Sequence, residues 1–63
     1  MNVGENIRRI REEKGILQVQ LAQQAGISQA MLSQIERGSK NPSLQVGADL
    51  ARLLGCKLEA LLQ

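Results

Sequence analysis

Gln29, Ala30, Ser33 and Gln34 are the residues of this chain best equipped for chemistry, and that chemistry is recognition, not bond-making. Each glutamine offers an N–H donor beside a C=O acceptor. That pair complements N7 and N6 of adenine in the DNA major groove. Ala30 suits a thymine methyl group, and Ser33 can bond a base or a phosphate. On a helix beginning near Gln29, helical spacing gathers Ala30, Ser33 and Gln34 on a face turned away from Leu32 and Ile35. The competing reading makes these four ordinary solvated helix positions. Gln18 opens a preceding helix, where unpaired amides suit a phosphate.

Little else could support chemistry. The chain has one cysteine, Cys56, and no histidine. A structural zinc site draws on about four Cys or His ligands, so no metal site is expected. No cofactor loop or nucleophile–base pair is visible, so neither a cofactor nor an enzymatic activity is expected. Cys56 reads as a small apolar residue near the last helix, with a redox role as the alternative. The absence of Phe, Tyr and Trp removes the stacking platforms of many RNA and single-strand binders. A net charge of +2 is too small by itself to indicate nucleic acid. Its distribution says more, because Arg37 and Lys40 lie beside Gln34 with no nearby acid beyond Glu36. No stretch resembles a secretory signal, and no apolar run approaches the roughly 20 residues that span a bilayer. A soluble, cytoplasmic protein without a membrane partner is the expectation.

The elements that must position these residues are helices. At 63 residues the expectation is one domain, 1–63, whose folding buries only about 60% of the unfolded surface. The first helix is predicted from Gly4 or Glu5 to Lys14, with Val3, Ile7 and Ile10 on one face and Gly15 as its stop. The second spans Gln18 to Ala25, with Leu21, Ala22 and Ala25 apolar. Gly26 can take the left-handed conformation that ends it, and Ser28 can cap the next helix. That third helix runs from Gln29 to Arg37, carries Met31, Leu32 and Ile35 inward, and stops at Gly38. Ser39-Lys40-Asn41-Pro42-Ser43 is a polar loop, with Ser43 as a cap. The fourth helix runs from Leu44 to Leu54, with Leu44, Ala48, Ala51 and Leu54 at helical spacing beside Leu50 and Leu53. Gly55 ends it, and a short fifth helix covers Leu58 to Leu62. Two short helices meeting steeply over a glycine turn make a helix-turn-helix, whose second member can enter the major groove.

The whole chain resembles the Cro/repressor-type (XRE) helix-turn-helix family of phage and bacterial regulators. The resemblance rests on Ile7-x-x-Ile10-Arg11, Lys14-Gly15 and Gln18-x-x-Leu21-Ala22-x-x-Ala25-Gly26. It continues through Ile27-Ser28, Leu32-Ser33-x-Ile35-Glu36-Arg37-Gly38, Asn41-Pro42-Ser43-Leu44 and Leu50-Ala51-x-x-Leu54-Gly55. Single fragments would be weak, but the full set in this order is specific. It implies an all-α, compact five-helix, lambda-repressor-like DNA-binding domain with the helix-turn-helix at helices two and three.

By resemblance, base contacts fall to Gln29, Ala30, Ser33 and Gln34. Backbone contacts fall to Gln18, which would also brace Gln29, and to Arg37, Ser39, Lys40 and Asn41. Flexible solvated charge competes with a contact role for Lys40. Arg11 and Glu36 would form a structural salt bridge between helices one and three. The implied function is a sequence-specific regulator of transcription, a repressor, on double-stranded DNA. It would bind as a homodimer on a palindromic operator, through helix five and the end of helix four. Leu58, Leu61 and Leu62 would serve that contact, or else simply close the monomer core.

Three residues depart from the family pattern. Leu17 stands where a capping Thr or Ser is usual, Val19 where a polar residue is usual, and Gly47 where a large apolar one packs. Leu17, Val19 and Gly47 could form one rearranged patch. Exposed Leu17, Val19 and Leu62 motivate the alternative, a protein-binding module such as an antitoxin on the same fold.

Overall fold

A computed structural model describes residues 2–63. The element order is α1 (Val3–Glu13), α2 (Gln18–Ala25), α3 (Gln29–Arg37), α4 (Leu44–Leu54) and α5 (Leu58–Leu61). The middle three match their predicted spans. The outer two differ at their ends. Asn2 starts α1 earlier than predicted, because its side-chain oxygen accepts from the Glu5 amide at 3.0 Å. That is an N-cap, and it places Gly4 inside the helix. Lys14 is the C-cap of α1, and Leu62 that of α5.

One apolar core holds the helices together. Ile7, Leu21, Leu32, Ile35, Leu50, Leu54 and Leu61 are its large, fully buried side chains. Each contributes about 1.5–3 kcal/mol on removal from water. All five helices supply at least one, so none is an appendage. Met31 and Cys56 pack against this core half-buried, as apolar residues. Asn6 fastens the chain ends together, donating to the carbonyls of Leu61 and Gln63 at 3.0 and 2.7 Å.

Helix α4 buries the later part of its predicted apolar face, Leu50, Ala51 and Leu54, but not the earlier part, Leu44 and Ala48. Gly47, Leu50, Ala51 and Leu54 are buried, whereas Ala48 is exposed and Leu44 is 79% exposed. Leu and Ala occupy neighbouring rows of this helix, so spacing alone could not choose between them. Packing chose the row that turns Gly47 toward α5, where an added Cβ would meet Leu58 Cδ1 at an ordinary 3.6 Å. Gly47 lines an apolar groove of about 190 Å³ with Val3, Leu44, Leu58 and Leu62. Neither Leu17 nor Val19 borders that groove, so the three departures do not gather around Gly47. Leucines 58, 61 and 62 divide their roles: Leu61 is in the core, Leu58 is half-buried against it, and Leu62 is 44% exposed. Among the described residues, no helix is long and apolar enough to cross a membrane.

Candidate nucleic-acid interface

The turn between α2 and α3 sets which side chains face outward. Gly26 adopts φ 73°, a left-handed value that a side chain rarely tolerates, and its amide closes on the carbonyls of Ala22 and Gln23. Ile27 N–H also returns to the Ala22 carbonyl at 3.0 Å, while the Ile27 side chain packs on the core. Ser28 Oγ then accepts from the Met31 amide at 3.0 Å and starts α3. With Leu32 and Ile35 anchored inside, helical geometry leaves Gln29, Ala30 and Gln34 exposed and Ser33 half-buried.

Beneath this face lies a buried ion pair. Arg11 on α1 grips Glu36 on α3 through two bonds, Nε–Oε2 at 2.7 Å and Nη2–Oε1 at 3.0 Å. Its third donor, Nη1, binds the Ile16 carbonyl at 2.9 Å and so fixes the turn leading into α2. Bonding to Glu36 raises the Arg11 pKa above its already high ordinary value, against a smaller opposing effect of burial. The guanidinium therefore stays charged throughout the neutral range.

The pair reaches outward. Gln18 Nε2 donates to Glu36 Oε1 at 3.1 Å, and Gln29 Nε2 donates to Gln18 Oε1 at 3.4 Å. Arg11, Glu36, Gln18 and Gln29 thus form one chain of polar contacts from the interior to the surface. Helical periodicity carried no sign of the Gln18–Glu36 bond, which joins different helices.

The other candidates fall into two clefts. Gln18, Ser33 and Arg37 line a polar cleft of about 290 Å³ with Arg8, Arg11 and Glu36. Lys40 and Asn41 line a different one, of about 420 Å³, with Asn2, Val3, Gly4 and Pro42. Arg37, Ser39, Lys40 and Asn41 are all exposed. Ser39 differs in orientation: its hydroxyl donates to the Gln34 carbonyl at 3.2 Å, so a phosphate contact there requires the O–H to rotate. The Ser39 and Lys40 amides bind that same carbonyl at 3.0 and 3.3 Å, which pins the loop to the end of α3. Arg8 had no place in the sequence reading of the site. Its signal was present in its position, three residues before Arg11 and so one turn away on the same side of α1.

Helix α2 begins without a side-chain cap. Leu17 has no acceptor, and only the returning arm of a capping arrangement forms, Leu17 N–H to Gln20 Oε1 at 3.0 Å.

Residues 7–61 match the family model described as helix-turn-helix. Over 61 residues the chain is 43% identical to the immunity repressor protein of Bacillus phage phi105, covering 97% of this chain and 42% of that one. The chain therefore spans less than half the length of that relative. It superposes on the DNA-binding domain of the P22 c2 repressor with a TM-score of 0.94 at 32% identity, covering 98% of this chain and 82% of that one. It also matches SinR, described as the master regulator for biofilm formation and solved in complex with DNA. The TM-score there is 0.89 at 35% identity, with 97% and 98% of the two chains covered. The SinR sequence of Bacillus subtilis is 36% identical over 61 residues, 95% of this chain and 55% of the relative.

Proposed function

From a chain that belongs to the helix-turn-helix family and has the all-helical fold of repressor DNA-binding domains, we propose a sequence-specific regulator of transcription that acts on double-stranded DNA. Residues 1–63 act as one DNA-binding unit, and α3 enters the major groove. Gln29, Ala30, Ser33 and Gln34 read base edges, while Gln18, Arg37, Ser39, Lys40 and Asn41 hold phosphates. The observation that carries this reading is the outward polar face of α3, braced from behind by the Gln29–Gln18–Glu36–Arg11 chain. Bracing of this kind reduces the freedom lost when a side chain meets its base.

Regulation by this unit is repression through occupancy of promoter DNA in the cytoplasm. It binds as a homodimer whose two α3 helices enter successive major grooves about 34 Å apart on a palindromic site. Leu44 and Leu62, the exposed leucines flanking the groove at Gly47, support a contact between copies near α4 and α5. A mass that stays monomeric at every concentration, with and without operator, counts against it.

Leu17 and Val19, 61% and 47% exposed at the start of α2, favour a second reading as a protein-binding module. In it, one stoichiometric protein partner replaces DNA, and a Val19→Glu variant loses that partner. Selection from a randomised duplex library separates the two. Enrichment of a palindromic motif, bound far more tightly than random DNA, supports the regulator. Failure to enrich any motif sinks it.

A further inference from the structure

We propose that Arg8 on α1 is a DNA-binding residue that holds, together with Arg37 on α3, one backbone phosphodiester in the polar cleft between those helices. This rests on the reading of α3 as the DNA-facing helix. The cleft is lined by Arg8, Arg11, Gln18, Ser33, Glu36 and Arg37, so the candidate contacts Gln18, Ser33 and Arg37 share it with Arg8. Its one carboxylate is occupied: Glu36 accepts two bonds from Arg11 and one from Gln18. With Glu36 neutralised by Arg11, the charges of Arg8 and Arg37 dominate the cleft. Among the described residues, no carboxylate lies within ion-pair distance of Arg37.

Arg8 is held only lightly. Its Nε meets Glu12 Oε2 at 3.4 Å, with both side chains more than half exposed. Among the described residues no bond engages its Nη donors, so they remain available to a phosphate oxygen pair. Arg8 shares the lining of this cleft with the Arg11–Glu36 ion pair. An anion entering there meets the Arg8 and Arg37 guanidinium groups, with Arg11 committed to Glu36, and Gln18 at the start of α2, where Leu17 provides no competing cap. Glu12 is the competitor for Arg8, and a bound phosphate displaces it.

The test measures binding of Arg8→Gln, Glu12→Gln and Lys40→Ala to a selected duplex across a range of salt, beside thermal unfolding of each. Arg8→Gln is expected to weaken binding severalfold on every sequence and to flatten the log–log salt slope by about one unit. Its site preference and melting temperature are expected to stay at the parent values. Glu12→Gln, which releases the Arg8 Nε from its carboxylate, is expected to tighten binding at low salt. Parent-like affinity and slope in Arg8→Gln, with a clear loss in Lys40→Ala, overturns the role of Arg8 and leaves DNA binding in place. A lower melting temperature with an unchanged slope overturns it too, by making Arg8 structural. If the parent protein enriches no duplex, the underlying reading of α3 fails with it.

Discussion

Gln18 and Glu36 are bonded at 3.1 Å, through the same carboxylate that Arg11 holds at 2.7 and 3.0 Å. The residue that opens α2 is therefore tied to the buried ion pair between α1 and α3. The scaffold ion pair and Gln18, a proposed DNA contact, share one carboxylate. Glu36 is 5% exposed and Arg11 9%, so each charge is largely shielded from solvent and relies on its partner.

Replacing Glu36 with Ala leaves the Arg11 charge buried and uncompensated, a loss of about 3–5 kcal/mol. Gln18→Ala leaves the ion pair in place and is expected to cost much less. Urea unfolding checks both. A Glu36→Ala variant as stable as the parent would mean that the pair holds nothing together. Binding should order the variants differently: Gln18→Ala weakens DNA binding at temperatures where it is fully folded.

The two glycines inside helices should respond to alanine with opposite signs. At Gly4 a Cβ would be driven into the Ile35 carbonyl oxygen, a backbone atom of a packed helix. Gly4→Ala must therefore separate α1 from α3, and a large fall in melting temperature is expected. At Gly47 a Cβ meets only Leu58 Cδ1 at 3.6 Å. Gly47→Ala removes the helix-interior penalty of a glycine and should stabilise by about 1 kcal/mol. Thermal melts of the two variants would reveal any case in which they move the same way.

Leu17→Thr supplies the side-chain acceptor that α2 lacks, while Gln20 already provides the reciprocal bond to the Leu17 amide. A gain of about 1 kcal/mol is expected from the completed cap. Hydrogen exchange at the first-turn amides of α2 should slow in parallel. Exchange unchanged from the parent would show that the hydroxyl bonds elsewhere.

Gln29→Ala and Gln34→Ala are expected to cost about 1–3 kcal/mol on the selected site and to relax discrimination at single base positions. Lys40→Ala should instead weaken all sequences alike and flatten the salt dependence. Competition binding against single-base variants of the site distinguishes these. Retained preference in both glutamine variants would remove base reading from this face of α3.

Much of the candidate interface was legible because the signals for its geometry are local. Gly26 and Ser28 mark the turn, and their effects act within one helical turn of themselves. Leu32 and Ile35 then orient α3, so the outward placement of Gln29, Ala30 and Gln34 follows from spacing. The Arg11–Glu36 ion pair was reachable only through family resemblance, since nothing in local spacing joins residues 25 positions apart. Ser39 was legible as a loop residue, but not the direction of its hydroxyl.

Five helical segments, the caps at Ser28 and Ser43, and the outward face of α3 were all readable in the local pattern of residues. These depend on periodicity and on hydrogen bonds spanning three or four residues. Tertiary packing set that Gly47 joins the buried side of α4 while Leu44 and Ala48 do not, that Gly4 must be glycine to admit the Ile35 carbonyl, and that Arg8 shares a cleft with Arg37. It also decided that Gln18 closes on Glu36. Each of these is a contact between helices, set by how five short elements pack around one core. A one-dimensional pattern does not encode the rotation of one helix against another when apolar residues fill two adjoining rows.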